Sequence, residues 1–310
     1  MRRFAFLVGL AVLGSSMSFA ASLGTTTRAA IPSDVQQIIS VDYRALRNSP
    51  TAIQLKNKVL PDNLKEFETA LRGIGLNPDT EVESLTFASF RTKHGLRIIG
   101  VATGQFPSKK FAQKLKVKKV SGSKYRTAIV YPMNGGIQMT FLDDYTLLFG
   151  EQTAIHAALD ARDGEAESVN SNGNIGDLIQ SVDSGAVWSV LDAVGTQNLM
   201  HSTLGDAAKL ADYDTVKKRL TGSRYTMDFN QGVNFDLDVV TSDSMTAATL
   251  SSLIKAGLLF RKMNAEPTEK MALESTTVDS DSGVLRLRFK TDDNKFQALM
   301  KSDLFAAVSR

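Results

Sequence analysis

The 310 residues include no cysteine. That excludes disulfides, thiolate metal sites and a lipid-modified cysteine at a processed N-terminus. Histidine is nearly as scarce. His94, His156 and His201 are the only three, and none has another at the short spacings that let one helix or strand present two imidazoles to a metal. His94 falls in a predicted turn. His156 has Asp160 one helical turn on and reads as a surface pair. The chain has no phosphate-binding glycine loop, no Gly-x-Ser-x-Gly nucleophile turn and no zinc-protease helix. Ser-x-x-Lys spacing occurs at Ser121–Lys124 and Ser252–Lys255, without the Ser-Asp-Asn and Lys-Thr-Gly elements that accompany it in serine hydrolases. Asp279 and Asp281 before Gly283, and Asn170, Asn172, Asn174 and Asp177, could offer oxygens to calcium. Neither set runs on to a distal glutamate, so they read as a hairpin and a linker. Asp143-Asp144 and Asp292-Asp293 fall at element boundaries and read as turn or cap residues.

Long apolar runs are missing too. Phe4–Leu13 follows the basic pair Arg2-Arg3 and precedes Ser18-Phe19-Ala20. A run of about ten apolar residues is too short to span a bilayer. The pattern predicts a secretory signal peptide over residues 1–20, cleaved after Ala20. The mature protein is then expected in a bacterial periplasm or outside the cell, with no transmembrane segment. Residues 21–30 are small and polar and are expected to be flexible.

Acidic residues are absent from Ser84–Leu142, which holds Arg91, Lys93, Arg97, Lys109, Lys110, Lys114, Lys116, Lys118, Lys119, Lys124 and Arg126. The formal charge is +3 overall and +1 once Arg2 and Arg3 are removed, so the rest of the mature chain carries about −10. Such asymmetry suits an anionic partner. Lys109, Lys110, Lys114, Lys116, Lys118 and Lys119 crowd one predicted helix and its exit. The alternatives are a solvated face or a contact for an anionic envelope component or another envelope protein. Aromatic interleaving is thin, so nucleic acid is not expected as a partner. No cofactor is expected either.

Against these absences stands a pattern that occurs twice: strand, turn, strand, helix. Leu85, Phe87 and Phe90, then Leu96–Val101, then Phe106, Phe111 and Leu115 form the first copy. Tyr225, Met227 and Phe229, then Phe235, Leu237 and Val239, then Leu250, Ile254 and Leu258 form the second, with Ser244 as the predicted helix cap; an offset of 139 sets Phe90 on Phe229, Leu96 on Phe235, Ile98 on Leu237, Val101 on Val240, Phe111 on Leu250 and Leu115 on Ile254. Around these lie strands at Ile38–Tyr43 and Ala186–Leu191, the latter containing Trp188, the one tryptophan. Hairpins are predicted at Tyr125–Leu142 and Met271–Lys290, a strand at Tyr145–Phe149, and helices at Glu151–Arg162 and Asn198–Leu220. The second copy has no predicted counterpart of Tyr145–Phe149. The expected fold is α+β: two similar lobes, residues 31–163 and 177–310, each an antiparallel sheet covered on one face by helices, joined by a polar linker over 164–176. In the second lobe Asp228, Asp236 and Asp238 are expected to face Arg286, Arg288 and Lys290 across strands.

Pro32-Ser33-Asp34, Val41–Leu46 and Ser49-Pro50, together with Tyr145–Gly150 and the helix after it, resemble exported bacterial proteins with a duplicated α+β unit and no known function. The resemblance implies an envelope protein and carries over no catalytic residue. The expected function is non-catalytic binding or scaffolding; the alternative is a periplasmic hydrolase of unrecognised type.

Overall fold

Ile39 and Ser189 face each other in the strand pair from which the architecture grows. The computed structural model describes residues 23–59, 68–69, 71–73, 75–182, 185–204, 213–263 and 265–301. The expected signal peptide, residues 1–20, and its expected cleavage site lie outside them. The strands are β1 (Val35–Asp42), β2 (Val82–Thr92), β3 (Gly95–Gly104), β4 (Ser123–Tyr125), β5 (Ala128–Pro132), β6 (Gln138–Phe141), β7 (Thr146–Gly150), β8 (Val187–Asp192), β9 (Leu220–Asp228), β10 (Val233–Thr241), β11 (Thr276–Asp281) and β12 (Val284–Thr291). The helices are α1 (Thr25–Ala30), α2 (Tyr43–Arg47), α3 (Pro50–Val59), α4 (Pro78–Glu81), α5 (Ser108–Val117), α6 (Gln152–Arg162), α7 (Gly173–Gln180), α8 (Ala193–Leu204), α9 (Tyr213–Lys217), α10 (Ser244–Met263), α11 (Pro267–Glu274) and α12 (Asp293–Met300).

The fold is α+β with an antiparallel sheet. All twelve strands join one sheet in the order β11-β12-β10-β9-β8-β1-β2-β3-β7-β6-β5-β4. The two halves are therefore mirrored about the β1–β8 pair and share one backbone ladder. The chain in each half runs out from the centre by three antiparallel strands, crosses a helix, and returns with a strand beside the third. In the first half that returning strand is β7, and in the second it is β12. Hence Thr146–Gly150 has a positional counterpart after all, and the β4–β5 hairpin is the unmatched part.

The register also differs from a constant offset of 139. Phe87 lies opposite Ile39 and Tyr225 lies opposite Ser189, so Tyr225, not Thr226, takes the place of Phe87. A one-residue slip exchanges the two faces of a strand, so only the pairing identifies the equivalent side chains.

Burial explains where the helices sit. The face carrying Leu85, Ala102, Leu147 and Phe149 packs against Phe111 and Leu115 of α5 and Tyr43 of α2. Further along that face, Leu237, Val239 and Leu285 pack against Leu250 and Ile254 of α10 and Met200 of α8. The opposite face carries Ile38, Phe90, Ile99, Val101, Leu148, Trp188 and Val190, and packs against Ile155 and Leu159 of α6 and Ile175 and Ile179 of α7. The first half is thus covered on both faces, because its central strands are apolar on both. Continuing outward on that second face, β9–β12 present Arg224, Asp236, Asp238, Asp279, Arg286 and Arg288 instead.

Other segments depart from the expectation. Within 21–30, α1 is ordered, with Leu23, Thr27 and Ala30 buried. Its small side chains suit close packing on α6. Residues 164–176 do not form a free linker. Val169 is buried in the core, the Val169 and Ser33 backbone N–H groups bond the Ile31 and Glu167 carbonyls at 2.8 and 3.0 Å, and Asn172 donates to the Ser33 carbonyl at 2.9 Å. Asn172 also caps α7 by accepting from Ile175 N at 3.1 Å. The cap of α10 is Asp243 rather than Ser244, since Asp243 accepts from Thr246 N at 2.8 Å and Thr246 Oγ1 at 2.9 Å. The predicted strand from Met271 begins only at Thr276, after α11.

Candidate functional site

The lysine cluster sits on α5, whose Phe111 and Leu115 point into the core and leave the remaining positions to solvent. Pro107 precedes the helix and has no side chain able to cap it. Asp144 does so from the turn before the neighbouring strand β7, accepting from Ser108 N at 3.0 Å and Ser108 Oγ at 2.5 Å. Those bonds, with Lys109 adding to them, hold the Asp144 carboxyl below the usual carboxylate range.

All six lysines are exposed, but they do different work. Lys114 Nζ donates to the Gly75 carbonyl at 3.3 Å and lies 5.1 Å from the centre of the Phe111 ring. Lys118 Nζ donates to the Gly73 carbonyl. These two tie α5 to the neighbouring turn. The side chains of Lys109, Lys110, Lys116 and Lys119 make no hydrogen bond or ion pair among the described residues. Lys119 holds a left-handed φ of 58° at the helix exit. By contrast, the arginines of the acid-free stretch are matched with carboxylates from elsewhere in the chain. Arg91 pairs with Asp192 at 2.7 Å and Asp34 at 3.0 Å, Arg97 with Glu151 at 3.8 Å, and Arg126 with Asp160 at 2.8 Å and Glu165 at 2.9 Å. The charge imbalance visible in the sequence is thus partly cancelled in space, and what survives is lysine: Lys93 and Lys124 singly, and the cluster on α5 and its exit.

Beside the N-terminal end of α5 lies a hollow of about 360 Å³ lined by Gly24, Thr25, Thr26, Glu83, Thr103, Gln105 and Tyr145, among others. By sequence, Tyr145 is expected to open the strand Tyr145–Phe149. The strand begins one residue later, and Tyr145 is 67% exposed. The only local signal was the Asp143-Asp144 pair before it: Asp143 accepts from Tyr145 N at 2.8 Å and forms the turn that projects the ring. A second hollow of about 310 Å³ is mainly apolar, with Phe87, Leu96, Ile98, Ile137 and Phe149 among its lining residues.

The remaining candidates are not brought together. His156 stacks on Tyr125, ring centres 3.6 Å apart and planes 4° apart, while Asp160 accepts from Tyr125 Oη at 3.0 Å and from Arg126. Burial pushes the His156 imidazole pKa down, against Asp160, which raises it. This group fastens β4 to α6. His94 is exposed in its turn, and His201 lies 6.1 Å from the Tyr213 ring. Ser252 and Lys255 are both on the exposed side of α10, and Ser121 and Lys124 are both exposed. Asp279 and Asp281 face Arg288 and Arg286 at 3.9 and 3.5 Å. Asp292 caps α12, and Asp293 accepts from Thr51 Oγ1 at 2.5 Å.

The carboxyl half of α10 exposes Leu259, Phe260 and Met263, which no local sequence pattern sets apart from its buried apolar residues. No helix among the described residues is long and apolar enough to cross a membrane.

No family model and no curated protein matches this sequence. Solved structures of TP0453 share the architecture. Crystal form III superimposes with a TM-score of 0.51 at 8% identity, covering 88% of this chain and 96% of that one. Crystal form I gives 0.50 at 8% identity, covering 88% and 95%. At such identity the likeness concerns the fold alone.

Proposed function

We propose that this chain is an exported bacterial envelope protein that binds or scaffolds rather than catalyses, and that α5 is its contact for an anionic envelope component. The observation that carries this reading is the division of labour among the cations. Arg91, Arg97 and Arg126 are occupied by internal carboxylates, whereas the side chains of Lys109, Lys110, Lys116 and Lys119 project with no hydrogen bond or ion pair among the described residues. Lysine is a compact, strongly hydrated charge on a flexible stem, suited to a diffuse anionic surface more than to bidentate grip on one group. Attraction of that kind acts at long range and is screened within about 8 Å at physiological ionic strength.

The test is co-sedimentation of the mature protein with anionic vesicles, neutral vesicles and acidic glycan at low and moderate salt. Binding is expected to the anionic materials only, weakening as salt rises. Replacing Lys109, Lys110, Lys116 and Lys119 by glutamine removes it without unfolding the protein. A wild-type protein that ignores every anionic material at low salt overturns the proposal. Export and cleavage after Ala20 belong to the same reading, and N-terminal sequencing of the exported protein checks them.

A further inference from the structure

We infer that the hollow beside α5 is a saccharide subsite: Tyr145 is the platform for one sugar ring, and the anionic groups of the same glycan lie on Lys109 and Lys110. This rests on the reading of α5 as an anion contact and names the class of ligand.

The lining has the chemistry a sugar needs. A pyranose presents an apolar face of C–H groups and a rim of hydroxyls. It calls for an exposed aromatic ring together with side chains that both donate and accept. Tyr145 supplies the ring and carries no hydrogen bond on its hydroxyl among the described residues. Gln105 is exposed and offers an amide; Thr25 and Thr26 offer hydroxyls; Glu83 offers a carboxylate, 3.6 Å from Arg44. Polar groups held ready in a concave site with one aromatic wall suit neither an acyl chain nor a bare phosphate.

The surrounding backbone is cross-linked by hydrogen bonds. Gly104 N bonds the Tyr145 carbonyl at 3.0 Å and Phe106 N bonds the Asp144 carbonyl at 2.7 Å, so the turn bearing Tyr145 is locked to the segment bearing Gln105. Asp144 in turn holds Ser108, the residue before Lys109. The turn bearing Tyr145 is therefore bonded to the first residue of α5, with Lys109 next along the helix and close enough to act on the Asp144 charge. Glu83 would repel a carboxylate in the hollow, so the ring that enters is a neutral one, with acidic groups on the neighbouring ring. The ligand class is a glycan that alternates neutral and acidic sugars.

The probes are an oligosaccharide of alternating N-acetylglucosamine and glucuronate, a neutral chito-oligosaccharide, and polyphosphate as a sugar-free anion. Binding to the full mature protein is followed by calorimetry and by NMR. The acidic oligosaccharide is expected to bind. Tyr145→Ala should weaken it about tenfold, and Tyr145→Phe should keep it. Polyphosphate should bind Tyr145→Ala as it binds wild type. Glutamine at Lys109 and Lys110 should weaken both anions. The inference is overturned if wild type binds polyphosphate but no oligosaccharide, or if Tyr145→Ala and Gln105→Ala bind the oligosaccharide unchanged; in both cases the anion contact on α5 stands. If the neutral oligosaccharide binds through Tyr145 while neither anion responds to the lysine substitutions, the subsite stands and the reading of α5 fails.

Discussion

Ile39 and Ser189 form the central pair of the β1–β8 ladder, and the chain repeats outward from them in mirrored order. Because the ladder is continuous, neither half ends in a free sheet edge at the centre, where an edge would invite pairing with another chain. The outer edges are a three-residue strand, β4, and the acid-bearing β11, both poor templates for a partner strand.

Trp188 belongs to that shared centre. It is 0% exposed and lies in one cluster with Phe90, Ile99 and the helices α6 and α7. Urea unfolding should therefore show a single transition, with tryptophan emission and far-ultraviolet circular dichroism coinciding. Trp188→Ala should cost about 3–5 kcal/mol. Two separated transitions, or a solvent-exposed emission spectrum in the native protein, would refute the assignment.

Asp236 and Arg288 are direct cross-strand partners, with Asp236 Oδ1 3.1 Å from Arg288 Nε. Their side chains are 51% and 54% exposed, so the pair is well screened. A double-mutant cycle should give a coupling of about 0.2–1 kcal/mol that shrinks in high salt. Zero coupling at low salt would show that the row of charges serves only to keep this face wet.

Asp243 accepts the backbone N–H and then the hydroxyl of Thr246, which lowers its pKa to about 2. A folded pKa below the unfolded one, about 3.9 for an aspartate, stabilises above that unfolded value. The contribution is lost as pH falls through about 2. Asp243→Asn keeps a good cap but removes the charge. The stability gap between wild type and Asp243→Asn should thus be full at neutral pH and close progressively between about pH 4 and pH 2. A carboxyl NMR titration with an ordinary midpoint would contradict this.

Ser251 is buried on the inner side of α10, and its hydroxyl has no hydrogen-bond partner among the described residues. A buried hydroxyl that gives up water and gains nothing is a net cost, and alanine is also the better helix former. Ser251→Ala should raise stability by about 1 kcal/mol in denaturant titration. A loss of similar size would mean that the hydroxyl is satisfied after all.

Much of this molecule was legible in the linear sequence because its signals are local. The alternation of Tyr225 and Met227 with Thr226 and Asp228, and the helical spacing of Phe111 with Leu115, depend only on neighbours along the chain. So does the crowding of lysines on α5. What the sequence could not decide depends on contacts distant in the chain. Whether Arg91 is a free cation turns on Asp192, a hundred residues away, and only the β1–β8 pairing brings the two together. Whether the halves are separate lobes turns on the same ladder, whose backbone groups pair without any side-chain signature. Residues 164–176 look like a linker by composition, yet Val169 finds a buried place against Ile31 that only the folded chain provides. Tyr145 is the converse case. Its sequence neighbours are core residues, but the turn at Asp143 sends its ring outward. Local pattern determines which segments become strands and helices; long-range pairing decides which charges are cancelled, and so which remain exposed to solvent.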